Sequence, residues 1–209
     1  MRNTRALAAG LTALAVVVAA AACGDSDTDT TATSPNTTTT TTISVVEGSA
    51  EHNQADVMFA RMMIPHHAQA IEMSDMILAK PEIPAEVTAL AEQIKEAQGP
   101  EIAQLESWLA DWDEPQMPTD VPGSGHMSDM PHMDGMMSDE DMQALADAQG
   151  VEAARLFLTQ MIDHHEGAID MAETEIEDGR FPDAVTLART IAETQQQEID
   201  TMRRLLENL

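Results

Sequence analysis

Cysteine is nearly absent from this sequence. With Cys23 as its only cysteine, the chain can form no internal disulfide, so a packed core must hold the fold. A metal site in the folded region must then use histidine, methionine, carboxylate or backbone oxygen. Aromatic residues are also scarce, with three Phe, two Trp and no Tyr. No segment alternates in the manner of a strand, and Ala, Leu, Glu, Gln and Met dominate, which points to helices. Basic residues are few as well: ten Lys and Arg face 37 Asp and Glu, for a net charge of −27. That balance excludes nucleic acid as a partner, because phosphate binding needs clustered Lys and Arg. It equally excludes electrostatic docking on anionic lipid.

The one long apolar run is "ALAAGLTALAVVVAAAA", after the basic start "MRNTR". It is too short and too small-sided for a stable spanning helix and has the form of an export signal. It ends at "AAAC", small residues before a lone cysteine, which is the form of a lipoprotein cleavage site. Ala20 stands where leucine is usual. We therefore expect a signal peptide over 1–22 and a lipidated Cys23, with membrane attachment through that anchor alone. The expected location is the extracytoplasmic face of the cell membrane. Residues 23–50 continue as "CGDSDTDTTATSPNTTTTTTISVVEGSA", a Thr-rich run without apolar periodicity that reads as a disordered tether. The folded domain is expected over 51–209.

Within that domain the pattern predicts helices near 53–79, 84–112, 151–178 and 183 to the end. Ser138 and Asp141 form a capping-box start for a short helix that Gly150 closes. Pro65 and the Gly99–Pro100 pair fall inside helical patterns and predict kinks or local opening. "DEPQMPTDVPGSGHMSDMPHMDGM" separates the halves as a long crossover loop.

The halves repeat. Phe59, Met63, His66, His67, Ala70, Ile71 and Met73 match Phe157, Met161, His164, His165, Ala168, Ile169 and Met171. Leu90, Ala91, Ile94, Gln98, Glu101 and Ile102 match Leu187, Ala188, Ile191, Gln195, Glu198 and Ile199 in the helix that follows each. A hairpin of amphipathic helices leaves one apolar face uncovered, and a second hairpin covers it. The predicted fold is all-α, a pseudo-two-fold four-helix bundle of two helical hairpins joined by the Met/His-rich crossover.

The segments "MIPHHAQAIEMSDM" and "MIDHHEGAIDMAE", with the stretch running from "MSDMPHMDGMM" to "LFLTQM", resemble the bacterial domain-of-unknown-function 305 family over residues 51–209. The resemblance implies an exported, ferritin-like four-helix protein and an association with copper. "QGPEI" departs from it, interrupting the second helix where such domains continue it.

The residues themselves carry a chemistry. At about 100° per residue, Met63, His66, Ala70 and Met73 share one helix face, as do Met161, His164, Ala168 and Met171. His67 and His165 point to the side, toward a neighbouring helix or the surface. Thioether with neutral imidazole is a soft ligand set that favours Cu(I). A methionine stripe is also ordinary core filler. Two features favour ligation: four of the seven histidines fall in the duplicated pairs, and the crossover carries Met117, His126, Met127, Met130, His132, Met133, Met136 and Met137. Glu101 and Glu198 are candidates to orient an imidazole from the second shell of ligands.

The expected function is a lipid-anchored, extracytoplasmic protein that captures and holds Cu(I) for tolerance, buffering or transfer to a partner protein, and not an enzyme. The alternatives are a ferritin-like metallo-oxidase and a non-metal cell-envelope interaction module. A di-iron oxidase needs Glu-x-x-His, and here Met63 and Met161 stand three residues before His66 and His164.

Overall fold

Asn53 starts the first helix. In the computed structural model, which describes residues 51–116 and 135–209, its side chain accepts from the N–H groups of Ala55 and Asp56. The Asp56 carboxylate accepts from the Asn53 N–H at 2.6 Å, completing a capping box. The described residues form five helices and no strand: α1 (Gln54–Leu78), α2 (Ala85–Asp111), α3 (Asp139–Asp147), α4 (Gly150–Asp178) and α5 (Pro182–Asn208). None is long and apolar enough to cross a membrane. The signal peptide, Cys23 and the tether, and Met117, His126, Met127, Met130, His132 and Met133, lie outside the described residues.

Two local expectations are corrected. Helices α1 and α2 run unbroken through Pro65 and Pro100, so "QGPEI" does not open the second helix. A proline removes one hydrogen bond, whereas Ile94 on one side and Leu105 and Leu109 on the other are fully buried and hold the helix in place. Gly150 does not close α3. That helix ends at Asp147, and Gly150, at φ +54°, turns the chain into α4.

Helix α1 packs on α2 and α4 on α5, and the two hairpins meet along α1 and α4. The core divides into two apolar clusters. One holds Met73, Ile77, Leu90, Ile94, Phe157, Met161 and Ile199. The other holds Phe59, Met63, Leu105, Leu109, Ala168 and Ile191. Each long helix passes from one cluster to the other, α1 and α4 in opposite directions. All four change over at polar residues: His66 and His67, Gln98, His164 and His165, and Gln195. The bundle therefore has a buried polar waist.

Helix α3 lies over one side of the α1–α4 seam. Ser138 and Asp141 form its capping box, and its Leu145 is fully buried. Gln160 donates to the Asp141 carbonyl, and Gln69 makes paired hydrogen bonds with the Met137 backbone. Gly135 makes the approach possible. At φ +83°, an added Cβ would sit 2.7 Å from the Asp163 carbonyl oxygen and 3.0 Å from the Gly167 Cα. Gly135→Ala is expected to destabilise the domain by about 1–3 kcal/mol, measured by urea unfolding. A variant as stable as the parent would show that this turn is not held against α4.

Candidate metal centre

The waist is built from duplicated parts. His66 and His164 meet across the α1–α4 seam with ring centroids 3.8 Å apart and planes inclined by 41°. Their residues are 0% and 1% exposed. Polar side chains enter the centre of a bundle at a cost unless they are satisfied, and here four imidazoles do so together. Burial, followed by the charges of His66, His165 and His67, holds the His164 imidazole well below its ordinary range; the nearby His66 backbone acts weakly the other way. His164 is thus a neutral ring at physiological pH, the form that binds metals.

His67 and His165 turn aside, each toward the outer helix of its own hairpin. His67 Nε2 lies 2.7 Å from Glu101 Oε2 on α2, and His165 Nε2 lies 2.7 Å from Glu198 Oε2 on α5. A carboxylate only accepts, so Nε2 carries the proton. In the neutral ring the lone pair then falls on Nδ1. Both Nδ1 atoms are buried without a hydrogen-bonding partner among the described residues. Gln98 and Gln195 complete the belt. Both Gln98 amide atoms and the Gln195 carbonyl oxygen also lack partners there.

The methionines of the two stripes separate. Met63 and Met73 are ten residues apart on one helix, about 15 Å along its axis, so one ion cannot take both. Met63 and Met161, each one turn from a waist histidine, are fully buried on opposite sides of the waist. Met73 belongs to the first cluster, and Met171 is half-buried against the second. Met136 and Met137 are partly buried beside α3, with Met137 packed on the first cluster.

Among the described residues there is no group of three or more His, Cys, Asp or Glu placed to hold a metal. A soft monovalent ion needs fewer ligands and accepts thioethers. The cost of burying an ion rises with the square of its charge, so a buried waist also favours a single charge. Imidazole and thioether donors fit copper.

The family model "Domain of unknown function (DUF305)" matches residues 56–206. The chain belongs to the DUF305 family. No curated protein matches it. Among solved structures, this DUF305 chain is similar to a DUF305 secreted protein from Streptomyces coelicolor, at 34% identity and a TM-score of 0.66. That match covers 74% of this chain and 93% of the other. A DUF305 fragment from Deinococcus radiodurans is 31% identical with a TM-score of 0.65, over 78% of this chain and 100% of that one. CopM in its Cu(I)-bound form is 31% identical with a TM-score of 0.59, over 73% and 96%. CopM is also known in Cu(II)-bound and Ag-bound forms.

The sequence reading of this DUF305 chain missed a pair of acids. Glu175 and Asp56 are 1% and 0% exposed. Burial, the polar contact with Asp56 and the repulsion of that carboxylate push Glu175 up to about 8. Burial raises Asp56, but the contact with Glu175 and the hydrogen bonds from the N–H groups of Asn53, Phe181 and Arg180 outweigh it, leaving Asp56 lowered. Asp56 Oδ1 thereby ties α1 to the α4–α5 turn, accepting from Arg180 and Phe181 at 3.0 and 2.8 Å. The two acids lie more than one hundred residues apart, so no spacing announces them.

The sign of the pH dependence follows. Glu175, raised when folded, contributes stability that is present below pH 4.5 and lost as pH rises through about 8. Asp56, lowered when folded, contributes stability that is lost as pH falls below its ordinary 3.8. Between about pH 5 and pH 9 Glu175 should withdraw on the order of 2 kcal/mol of stability, less than the full shift implies because it lines an open pocket, while the lowered His164 adds stability as pH rises through 6.5. The urea-unfolding difference between Glu175→Gln and the parent isolates the first effect and should grow across that range; a constant difference would remove the raised Glu175 from the account.

Proposed function

We propose that this chain is an exported copper-binding protein, anchored by a lipid on Cys23, that holds Cu(I) at its histidine waist. One observation carries the reading. Two buried imidazoles in contact across the seam, flanked by two carboxylate-held ones, lie between the two apolar clusters. His66 and His164, and the Nδ1 atoms of His67 and His165, are the candidate donors, an ion taking two of them at a time because no three are grouped to hold one. The thioethers of Met63 and Met161 are one turn away. Glu101 and Glu198 fix the two outer rings and offset the charge of the ion through them.

Relatives support the metal. CopM, similar over 73% of this chain, is known with Cu(I), Cu(II) and silver bound. The Streptomyces relative is described as secreted, which agrees with the export signal at the start of this chain. The Met and His residues of 117–137 supply the capture arm in this reading and deliver Cu(I) to the bundle. Holding the ion limits its toxicity or passes it to a partner protein. Nothing in the donor set provides the carboxylates of a di-iron oxidase, so we read the site as a carrier and not as a catalyst.

The test is an anaerobic Cu(I) titration against a chromogenic competitor, with Zn(II) and Fe(II) alongside. Tight, saturable Cu(I) binding that Zn(II) does not displace is expected. Replacing Met117, His126, Met127, Met130, His132 and Met133 by Ser, which leaves Gly135 and Met137 in place, should slow capture without lowering final occupancy. Failure to compete with a weak chelator would return the waist to a structural role.

A further inference from the structure

The pseudo-two-fold axis of the bundle is broken at one place. On one side of the α1–α4 seam, α3 closes the groove: Leu145 is buried there and Gln160 donates to the Asp141 carbonyl. Among the described residues, the equivalent groove on the opposite side has no such cover. The repeat places Met58 where the other half has Leu156, Met62 where it has Gln160, and Met171 where it has Met73. That side holds a pocket of about 170 Å³ lined by Met58, Met62 and Met171 together with Ala55, Phe59, Thr174 and Glu175.

Met63, Met73, Met161 and Met202 are fully buried, and packing explains them. Met76, Met137 and Met142 are half-buried but pack on the first cluster beside α3. Met58, Met62 and Met171 are half-buried and face an open pocket. Packing against the core does not require three thioethers around a space that water can enter. Met58 and Met62 stand one turn apart on α1, side by side on its surface, and Met171 faces them from α4. Three thioethers in an apolar recess suit a soft monovalent cation. They repel hydrated Mg(II) or Ca(II), which demand oxygen, and bind Zn(II) poorly. The acidic surface concentrates cations around the opening.

We propose that Met58, Met62 and Met171 form a second site for a soft monovalent cation, Cu(I) or Ag(I), open to solvent and separate from the histidine waist. The site also leads inward. Phe59 belongs to the cluster that contains Met63, Met171 packs against it, and Met63 is one turn from His66. An ion bound at the surface trio has a thioether between it and the waist. The trio therefore acts as an antechamber, although its binding does not depend on whether the waist is occupied.

The test uses the full chain labelled with ¹³C at its methionine methyl groups and titrated with Ag(I), which avoids the redox chemistry of copper. The methyl resonances of Met58, Met62 and Met171, assigned by single Met→Leu variants, should move together and saturate. The triple variant M58L/M62L/M171L should bind one Ag(I) fewer by equilibrium dialysis. It should keep the parent's melting temperature, since leucine replaces methionine at similar volume. Should the triple variant fold poorly, M62Q, which copies Gln160 of the other half, is read by the same two measurements. In H66L/H164L the trio resonances should still move, which separates this site from the waist. Trio resonances that stay still while other methionines respond, or an undiminished Ag(I) count in a folded variant, would overturn the proposal.

Discussion

Replacing His66 and His164 together by leucine should raise the melting temperature of the metal-free protein by a few degrees while lowering its Cu(I) affinity roughly 100-fold or more. The two effects have one cause. The paired imidazoles lie at the centre of the bundle, fully out of water. Removing both members of a buried polar pair for apolar groups of similar shape is neutral to stabilising, here by about 1 kcal/mol, or roughly 2–4 °C for a domain this size. The same change deletes two donors. Groups that merely orient a ligand are worth about 10- to 100-fold in metal affinity, so direct donors are worth at least that. Circular dichroism melting of the apo form and a Cu(I) competition titration check the two halves. A large fall in melting temperature would mean the histidines hold the fold. Unchanged affinity would mean the ion sits elsewhere.

The second large effect lies in the outer pair. Glu101→Ala with Glu198→Ala removes the acceptors that hold His67 and His165 at 2.7 Å. Each buried Nε2–H then loses its partner, at about 1–3 kcal/mol per site. Each ring also loses the constraint on its tautomer, for a further loss of about 10- to 100-fold in Cu(I) affinity per site. Unlike the leucine exchange, this change lowers stability and affinity together. Glu101→Gln with Glu198→Gln separates the contributions: the amide oxygen still accepts from Nε2, so stability should largely return. The negative charge does not return, so affinity should stay reduced. Full recovery of affinity in the Gln pair would show that orientation alone matters at these carboxylates.

Export, acidic charge and helical character are each visible in short stretches of the chain. So is the duplication, because "MIPHH" and "MIDHH" are local words whose spacing can be compared directly. The helix starts were legible for the same reason, as Ser138 and Asp141 show: a cap depends on residues three apart. The 100° step per residue was enough to separate His66 from His67, and the structure sends one to the seam and the other to Glu101. The helices do not open at Pro65 and Gly99–Pro100, because the lost hydrogen bond is local and the packing that overrides it is not.

The sequence by itself determined which chemistry is available: histidine, thioether and carboxylate, with no thiolate in the folded domain, on helices that occur twice. Only the tertiary structure decided which of these groups meet. It put His66 against His164, set Met63 and Met73 on opposite sides of the waist, and paired Asp56 with Glu175 across more than one hundred residues. It also closed one side of the seam with α3 and left Met58, Met62 and Met171 open on the other. Periodicity assigns a residue to a face of its own helix, whereas the antiparallel crossing of α1 and α4 selects the opposing residue, and that crossing is a property of the packed bundle.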